Sequence, residues 1–524
     1  MNRHSLCRRH LPGVMSQRLP MALGEARVNG TEQLPRHWTA PAGLAKAAYM
    51  GCWRRATEVR PARGLASLRL SASSPAAAAA GVSDRPAARE DGADRRRQEE
   101  QQPSFIQSRG GGTPTVVLKR GKARLFKDGQ PIVYSGAVDS VAGRPAPTAG
   151  DCVMVADGSK NVFGWGVYNP SSMFRVRMMQ LEGDAQKHPE CCLNLDATVQ
   201  ARLAAAAALR GAMNLPSAET TVYRLCNSEG DHLSGLVVDV LGTAAVVSSS
   251  AAWVERMEAQ ITECLLGLPS IDRVLWRRNL AMLSEEGVLP EASAEGSEDA
   301  DEEIGGNAEE VVEVRELGVI YSADLGGQKT GFYADQRDNR AAVARLCAGK
   351  RVLDLCCYSG GFAIGAALSG AASVTAVDSS ARALELGKKN ADLNGVSIDF
   401  VKGDIKDFMR AAVKEGQQWD VIVLDPPKLA PNRKALRKAA NKYRQLNADA
   451  MRLLPSEGGL LLTCTCSGAM TQSRGFQEVV KAAALAAKKQ INVLRVAGCG
   501  MDHPMSPDYP EGNYLTTLLV SVRD

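Results

Sequence analysis

The stretch from Arg351 to Pro427 constrains the fold more than any other part of the chain. Four short apolar segments in it each lead into an acid or a glycine turn, and segments of helical length separate them. They read RVLDLCCYSGGF from Arg351, SVTAVDSS from Ser373, IDFVKGD from Ile398 and WDVIVLDPPK from Trp419. This alternation predicts a doubly wound α/β fold with a parallel sheet, and such sheets bind ligands at the carboxyl ends of their strands.

The residues at these strand ends indicate which ligand the sheet would bind. Gly360 and Gly361 let the backbone approach a ligand closely, and Asp378 follows about twenty residues later, where a carboxylate can accept both ribose hydroxyls. The G-x-G-x-x-G spacing of a dinucleotide site is absent, and Asp354 before the turn would repel a phosphate. A cationic ligand with an amino acid head suits this acid, and S-adenosylmethionine fits. The order of the motifs resembles the class I methyltransferases, with another doubly wound enzyme as the alternative.

Cofactor contacts are predicted around this strand edge. Asp354 and Gly360 are expected near the amino acid head and Asp378 on the ribose. Asp404 is expected on the adenine amine, although it could instead cap the helix that starts at Ile405. The polar loop GGQKTGFYADQRDNR precedes the first strand and suits a segment that faces substrate or cofactor, with a surface capping segment as the alternative. The predicted cofactor contacts are Asp354, Tyr358, Gly360, Asp378, Asp404, Asp425, Gln336 and Arg337.

Length, charge and cysteine usage limit the classes of function. The chain has 524 residues, enough for several domains, and a net charge of +5, which permits nucleic acid without requiring it. Its 13 cysteines form no C-x-x-C pairs with zinc spacing, so we expect no metal site and a reducing compartment. No apolar run is long enough to span a membrane, so we expect no membrane association.

The N-terminal residues 1–112 differ in composition from the rest of the chain. They are rich in Arg, Ala, Ser and Pro, and acids are sparse before Asp84. This composition predicts an organellar transit peptide followed by a disordered linker, with a merely disordered tail as the alternative. We therefore expect an organellar protein, and the Ser and Ala content slightly favours the plastid over the mitochondrion.

Three domains are predicted after this segment. Residues 113–188 carry Val, Tyr and Phe at strand period, with Asp128-Gly129 and Asp157-Gly158 as hairpin turns, which predicts a small β-barrel. Residues 189–325 are typical of a second α/β unit. We expect its acidic run at residues 284–310 to be a disordered insertion. The domain with the doubly wound sheet would then occupy residues 326–524.

Six motifs in order resemble one family: KTGFYADQR, LDLCCYSGGF, VDSS, VIVLDPPK, LLTCTCSG, and HP followed by YPEGNYL. From Thr115 to Asp524 the chain is similar to the bacterial large-subunit ribosomal RNA methyltransferase I family, which makes 5-methylcytosine. The barrel segment resembles a PUA domain, a small RNA-binding barrel, through LKRGKARLFKDGQPIVYSGAV and GWGVYNPSSMFRVR. The resemblance implies large-subunit rRNA as the partner and strand order 3-2-1-4-5-7-6, with the last strand antiparallel. A homodimer is left open.

Two residues are predicted to carry the chemistry that this family performs. Carbon 5 of cytosine becomes nucleophilic once a thiolate adds at carbon 6, so the reaction needs a cysteine. Strand alternation puts Cys464 and Cys466 on one face of the fifth strand, with Cys466 nearer the open end. Cys466 also matches the family's cysteine and is the predicted nucleophile, with a buried strand-end residue as the alternative. Asp425 would hold the exocyclic amine and a protonated ring nitrogen of cytosine. His503 is a further candidate base.

Basic residues are predicted to bind the RNA. The segment Lys428–Arg444 could grip the phosphates that flank a base turned out of its stack, although a solvated basic helix face is the alternative. Tyr443 within this segment could stack on a base or lie in the core. The predicted RNA contacts are Lys119, Arg120, Lys122, Lys428, Arg433, Lys434, Arg437 and Lys438.

Two rival functions have to be weighed against this prediction. The first is a catalytically inactive rRNA-binding assembly factor, against which the intact acids and cysteine argue. The second is an N-methyltransferase or an enzyme with another acceptor, such as a protein. Lys428 argues against amino-group methylation, because related amino-methylating enzymes place a base-stacking aromatic at that position, and the barrel argues against another acceptor only by analogy.

Overall fold

The computed structural model describes residues 103–288, 302–305, 311–325 and 331–524. The predicted transit peptide and most of the predicted linker lie outside the described residues, up to residue 102. The linker prediction is wrong at its end, because helix α1 (Phe105–Arg109) forms there. Ile106 is fully buried, and Glu182 accepts hydrogen bonds from the backbone N–H groups of Phe105 and Ile106 at 2.5 and 3.3 Å. These contacts make α1 part of the first domain.

The first domain contains a six-stranded sheet in the order β2-β6-β5-β4-β1-β3. Its strands are β1 (Thr115–Leu118), β2 (Ile132–Tyr134), β3 (Val138–Ala142), β4 (Cys152–Ala156), β5 (Val162–Tyr168) and β6 (Phe174–Leu181), and helix α3 (Glu182–Lys187) follows. The prediction of a hairpin at Asp128-Gly129 is wrong. These two residues end a short helix, α2 (Ala123–Lys127), so the chain does not turn directly between two paired strands. The segment at Asp157-Gly158 does join an antiparallel pair, β4 and β5.

The middle domain has a five-stranded sheet in the order β11-β10-β9-β8-β7. Its elements are α4 (Leu195–Ala212), β7 (Val222–Asn227), β8 (Leu236–Leu241), β9 (Ala244–Ser249), α5 (Ala252–Arg256), α6 (Glu258–Leu266), β10 (Arg273–Asn279), α7 (Leu280–Glu285) and β11 (Glu302–Gly305). The strands pack with α4, α5 and α6 in one buried apolar cluster that also takes in residues of the first domain, among them Trp165. The first two domains therefore share a core.

Two parts of the acidic run at residues 284–310 have a defined structure, residues 284–288 and 302–305, which contradicts the prediction of a wholly disordered insertion. Glu286 is buried and accepts hydrogen bonds from Arg177, Ser172 and Asn169 at 3.0, 2.6 and 3.0 Å. Farther along, β11 pairs antiparallel with β10. Residues 289–301 and 306–310 lie outside the described residues. The prediction failed because these three partners of Glu286 lie more than 100 positions away in the sequence, so the local charge pattern could not show them.

A two-stranded hairpin, β12 (Val311–Glu316) and β13 (Val319–Asp324), joins the middle domain to the last one. On one side the backbone N–H of Thr221 donates to the carbonyl of Arg315 at 2.8 Å. On the other, the backbone N–H of Ser322 donates to Asn390 Oδ1 at 2.7 Å. The hairpin therefore fixes the orientation of the last domain relative to the middle domain.

The last domain contains a seven-stranded sheet in the order β16-β15-β14-β17-β18-β20-β19, which is 3-2-1-4-5-7-6 in its own numbering, as predicted. Its strands are β14 (Arg351–Leu355), β15 (Ser373–Asp378), β16 (Asp399–Lys402), β17 (Val421–Leu424), β18 (Gly459–Thr465), β19 (Gln490–Ala497) and β20 (Thr516–Arg523). Its helices are α8 (Arg337–Ala344), α9 (Gly361–Leu368), α10 (Ala381–Leu393), α11 (Ile405–Lys414), α12 (Leu436–Arg452), α13 (Gly468–Gln472) and α14 (Phe476–Ala487). Strand β20 runs antiparallel to β18.

Apolar clusters cover both faces of this sheet. All four residues of β17 are buried, because a central strand of a parallel sheet packs against helices on each side. None of the described helices is long and apolar enough to cross a membrane. Within the same residues, no group of three or more His, Cys, Asp or Glu side chains is arranged to hold a metal ion.

Candidate active site

Four carboxylates converge at the carboxyl edge of the seven-stranded sheet. They belong to Asp354 in β14, Asp378 at the end of β15, Asp404 after β16 and Asp425 after β17. Burial, followed by the charges of all four acids, raises the pKa of the Cys356 thiol. Because these four strands are parallel neighbours in the sheet, their carboxyl ends lie along one edge. The predicted convergence of strand-end acids is therefore present in the structure.

Asp354 is fully buried at this edge and has an unsatisfied oxygen. Its Oδ2 accepts a hydrogen bond from the backbone N–H of Ala363 at 3.0 Å, and its Oδ1 is buried without a hydrogen-bond partner. Burial, followed by the negative charge of Asp425, raises the pKa of Asp354 to about 8. A buried carboxylate oxygen next to further acids is a suitable partner for a cation. The site therefore fits S-adenosylmethionine, which carries an ammonium and a sulfonium group.

The turn after β14 is shaped for close approach of a ligand. Gly360 has a φ of +82°, a left-handed conformation that favours glycine, and it immediately precedes helix α9. Asp378 is held at the strand end, because its two oxygens accept hydrogen bonds from the backbone N–H groups of Tyr358 and Ser380, each at 2.9 Å. The Tyr358 ring packs edge-on against Tyr333, with 5.1 Å between ring centroids. Asp378, Tyr358 and Gly360 thus lie close together after the ends of β14 and β15.

Asp404 caps a helix, which was the alternative considered for it. Its Oδ1 accepts hydrogen bonds from the backbone N–H groups of Lys406 and Asp407 at 2.8 and 3.3 Å, at the start of α11. The side chain is nevertheless exposed at the same strand edge as the other acids. Its contact with adenine stays a prediction.

Gln336 and Arg337, both predicted cofactor contacts, point to different places. Gln336 is buried, and its Nε2 donates to Asp425 Oδ2 at 3.0 Å. The guanidinium of Arg337 instead donates to Asp502 Oδ2 at 3.1 Å and to the carbonyl of Val222 in the middle domain. Gln336 is the N-cap residue of α8 and Arg337 is the first residue of this helix, so their side chains leave the backbone in different directions. We correct the role of Arg337 to an interdomain contact.

His503 lies beside this interdomain contact. Its Nδ1 is 3.0 Å from Asp502 Oδ1, and the backbone N–H of Arg224 in the middle domain donates to Asp502 Oδ2 at 2.9 Å. Both His503 and Asp502 are buried. These contacts make His503 and Asp502 part of the junction between the middle and last domains. They give no support to the candidate role of His503 as a base.

The two cysteines of the TCTCSG motif have different environments. Cys464 is 0% exposed, and burial followed by the charge of Asp425 raises its pKa well above the usual value. Cys466 follows the end of β18, is half-buried, and has its Sγ 3.9 Å from the carbonyl oxygen of Pro426. Of the two thiols, that of Cys466 therefore lies next to the Asp425-Pro426 turn. The alternative of a fully buried strand-end residue describes Cys464 and not Cys466.

A hydroxyl network supports the segment that carries Cys466. The Oγ1 of Thr465 donates to the hydroxyl of Tyr443 at 2.8 Å, and Ser467 Oγ accepts from the backbone N–H of Ala430 at 3.0 Å. Tyr443 is fully buried and packs edge-on against Phe476. Of the two roles considered for Tyr443, the structure therefore shows the core role.

All eight predicted RNA contacts are exposed, and none of them forms an ion pair within the described residues. Lys428 to Lys438 flank the turn that carries Asp425 and the start of α12. In the first domain, Lys119 Nζ donates to the carbonyl of Gly136 at 3.0 Å, and Lys122 lines a surface cavity of about 530 Å³ together with Leu125 and Tyr134. The eight residues are Lys119, Arg120, Lys122, Lys428, Arg433, Lys434, Arg437 and Lys438.

The raised pKa of Asp354 predicts a specific pH dependence of stability. Its folded-state pKa of about 8 lies above the ordinary value of 3.8, so the folded chain keeps a proton that the unfolded chain releases between these values. The free energy of unfolding of the ligand-free protein should fall by several kcal/mol, on the order of 1.4 kcal/mol per pKa unit at most, as the pH rises from 4 to 8. Asp354→Asn should remove this slope and leave the variant more stable than the parent at pH 8.

Denaturant unfolding between pH 5 and pH 8 measures this effect. The matched control is Asp399→Asn, because Asp399 is an exposed acid at the start of β16. Parallel stability curves for the parent and Asp354→Asn would show that Asp354 is ionised in the folded protein.

Comparison with known proteins identifies similar families. A family of S-adenosylmethionine-dependent methyltransferases matches residues 293–493, and a PUA-like domain matches residues 116–181. The ribosomal RNA large subunit methyltransferase I of Photobacterium profundum is 33% identical over 407 residues, which cover 77% of this chain and 98% of the relative. The protein of the same name from Aeromonas salmonicida is 34% identical over 412 residues, or 78% and 99%.

Solved structures share the fold at lower identity. A structure described as a SAM-dependent methyltransferase from Streptococcus mutans has a TM-score of 0.62 and 20% identity over 78% of this chain and 99% of its own. A second methyltransferase structure, complexed with SAH, has a TM-score of 0.63 with the same identity and coverage. With the sheet order above, this likeness confirms the predicted class I methyltransferase fold.

Proposed function

The chain belongs to the ribosomal RNA large subunit methyltransferase I family, and from that premise we propose that it methylates carbon 5 of a cytosine in organellar large-subunit rRNA. Membership makes the chain an S-adenosylmethionine-dependent rRNA methyltransferase. The observation that carries the proposal of carbon 5 is the half-buried thiol of Cys466 beside the Asp425-Pro426 turn, 3.9 Å from the Pro426 carbonyl. An amino-methylating enzyme has no need of a thiol there. The organelle is inferred from residues 1–112 alone.

The proposed reaction assigns one role to Cys466 and another to Asp425. Bound S-adenosylmethionine supplies an electrophilic methyl group, and Asp354, Gly360 and Asp378 are the residues that would hold it. Cys466 Sγ gives up its proton to water and forms a bond to carbon 6 of cytosine. The displaced electron pair moves through carbon 4 to nitrogen 3, which takes a proton from water. Asp425 then accepts hydrogen bonds from this N–H and from the exocyclic amine.

The second half of the reaction releases the enzyme. Carbon 5 forms its bond to the methyl group with the electron pair that it shares with carbon 4, and the bond from that methyl group to the sulfur of the cofactor would break with its electrons left on sulfur, which releases the demethylated cofactor. The remaining proton of carbon 5 then passes to water. The freed electron pair restores the double bond between carbons 5 and 6 and expels the Cys466 thiolate, and nitrogen 3 returns its proton to water. Cys466 is regenerated, so the residue acts as a true catalyst.

The first domain is positioned to bind the same RNA strand as the site. A β-carbon added at Gly129 would lie 2.5 Å from Asp508 Oδ2, so the barrel packs directly on the loop before β20. In that loop, Gln472 Nε2 of α13 donates to the carbonyl of Glu511 at 3.2 Å, and α13 starts two residues after Cys466. The barrel, this loop and the Cys466 segment are therefore neighbours, which supports one continuous RNA-binding surface.

Charge reversal at Arg437 and Lys438 tests the basic segment. The double change to Glu should weaken RNA binding at moderate salt and reduce the slope of log affinity against log salt by about one to two, because two phosphate contacts are lost. The matched control is the double change of Lys388 and Lys389 to Glu, since both lysines are exposed on α10. Titrations of labelled rRNA fragments at several salt concentrations measure both slopes. If the slope of log affinity against log salt is the same for both double variants, Arg437 and Lys438 belong to a solvated surface that does not contact the RNA.

Bisulfite sequencing of organellar large-subunit rRNA tests the function itself. RNA from cells lacking the protein should be unmethylated at one cytosine that is fully protected in RNA from normal cells, and the purified protein with S-adenosylmethionine should restore the protection. Methyl transfer to a nitrogen, or protection that is independent of the protein, would contradict the proposal.

A further inference from the structure

Asn339 connects the candidate active site to the edge strand of the sheet. It lies in α8, is 0% exposed, and its Nδ2 donates to Gln336 Oε1 at 2.7 Å and to the carbonyl of Gly498 at 3.0 Å. Its Oδ1 accepts a hydrogen bond from the guanidinium of Arg495 in β19 at 3.2 Å. Gln336 in turn donates to Asp425 Oδ2 at 3.0 Å. Three successive hydrogen bonds thus run from Arg495 to Asp425.

The donor and the acceptor of each of these three successive hydrogen bonds are fixed by the chemistry of the groups. A guanidinium can only donate a hydrogen bond, so Arg495 requires the side-chain oxygen of Asn339 to face it. A backbone carbonyl can only accept, so Gly498 requires the side-chain nitrogen of Asn339 to face it. Gln336 must then turn its oxygen to Asn339, which leaves its NH₂ group for Asp425. Asp425 Oδ2 is consequently held as an acceptor.

We propose that Asn339, fixed by Arg495 and Gly498, is a positioning residue that orients Gln336 and thereby keeps Asp425 an acceptor for the target base. This inference rests on the proposed function, because it supplies the selectivity of that reaction for cytosine. Cytosine presents an amine donor at the position where uracil presents a carbonyl acceptor. An Asp425 that is held as an acceptor matches cytosine and leaves uracil with two acceptors facing each other.

Acidic groups and thiols lie around Asp425, and Gln336 presents a hydrogen-bond donor to it. Asp354 in β14 is a second carboxylate that interacts with Asp425, and so do the thiols of Cys356, directly after β14, and of Cys464 in β18. Cys466 lies on the adjoining Pro426 carbonyl. Gln336 Nε2 donates a hydrogen bond to the Asp425 carboxylate.

The test is the pH profile of methyl transfer in Asn339→Leu. Without its orienting partner, Gln336 can turn its carbonyl to Asp425, which favours protonation of the carboxyl. The acidic limb of kcat/KM should then move up by about one pH unit, with kcat for cytosine reduced about tenfold at pH 7. A loss of activity at every pH with an unmoved limb would show a merely structural role and overturn the proposal.

A control and a second variant keep the test decisive. Asn447→Leu removes another fully buried Asn, one whose amide donates to the carbonyl of Tyr443, and should leave the limb in place. If Asn339→Leu does not fold, Gln336→Glu replaces it. Two carboxylates would then face each other across the 3.0 Å contact and share one proton, so the pair would keep that proton to higher pH and the acidic limb should again move up, with activity recovered as the pH rises. A Gln336→Glu profile that matches the parent's would contradict the proposal.

A readout without turnover separates this inference from the proposed function. The ¹³C carboxyl resonance of Asp425, assigned by its absence in Asp425→Asn, should titrate at higher pH in Asn339→Leu than in the parent. Failure of the proposed function would appear as a parent enzyme that makes no 5-methylcytosine. Failure of the inference would appear as an unshifted resonance, whatever the product.

Discussion

Replacing Cys466 by alanine will reduce methyl transfer to rRNA by a factor on the order of a thousand or more, while Cys464→Ala will stay within a few-fold of the parent. Without the thiol, carbon 5 of cytosine lacks the activation that an adduct at carbon 6 provides. Cys464 is fully buried, so its thiol cannot reach a base without opening the sheet. Initial rates with tritiated S-adenosylmethionine and a large-subunit rRNA fragment measure both variants.

Binding of S-adenosylmethionine by Cys466→Ala is the control for this experiment. Cys466 is absent from the four-acid cluster, so the affinity for the cofactor should match that of the parent. If Cys464→Ala abolishes transfer and Cys466→Ala does not, the assignment of the nucleophile is reversed. If both variants are fully active, the reaction uses no cysteine of this motif.

Replacing Asp425 by asparagine will lower kcat/KM by roughly a hundredfold to a thousandfold. The carboxylate accepts hydrogen bonds from the two donors that cytosine presents during the reaction. The asparagine amide of the variant must turn its oxygen to the NH₂ group of Gln336, which leaves its own NH₂ group facing those donors. Steady-state kinetics with the same rRNA fragment measure the loss, and cofactor affinity should change by only a few-fold.

Asp420→Asn is the matched control for Asp425→Asn. Asp420 precedes the opposite end of β17 and pairs with Arg351 at 2.8 Å, so the same chemical change is made at the edge of the sheet away from the site. Its activity should equal that of the parent, with a small loss of stability from the ion pair. An Asp425→Asn enzyme as active as Asp420→Asn would remove Asp425 from the mechanism.

The sequence predicts the sheet and its functional edge because those features are local. Each buried strand is a short apolar run, and each ends in an acid or glycine whose position relative to the strand fixes the edge on which it lies. The two-residue period of a strand puts Cys464 and Cys466 on one face, and only the second lies beyond the end of β18. The choice of Cys466 as nucleophile also used the resemblance to the family, and it stays a prediction.

The features that sequence reasoning missed all depend on partners far apart in the chain. Asn339 meets Arg495, 156 positions away, and nothing in the RDNR segment of α8 shows which of its polar residues turns inward. The same limit applies to Arg337, whose partner Asp502 is 165 positions away. The dense polar composition of the GFYADQRDNR segment was the available signal, and it indicated function without assigning a direction to any side chain.

The central claim is that the Cys466 thiol forms a covalent bond with the cytosine that receives the methyl group. Incubation with S-adenosylmethionine and an rRNA fragment carrying 5-fluorocytidine at the target measures it, because fluorine at carbon 5 cannot leave as a proton and the adduct is trapped. Mass spectrometry of the digested complex should find the methylated nucleotide attached to the peptide that contains Cys466. The absence of any adduct, or its attachment at Cys464, would contradict the claim.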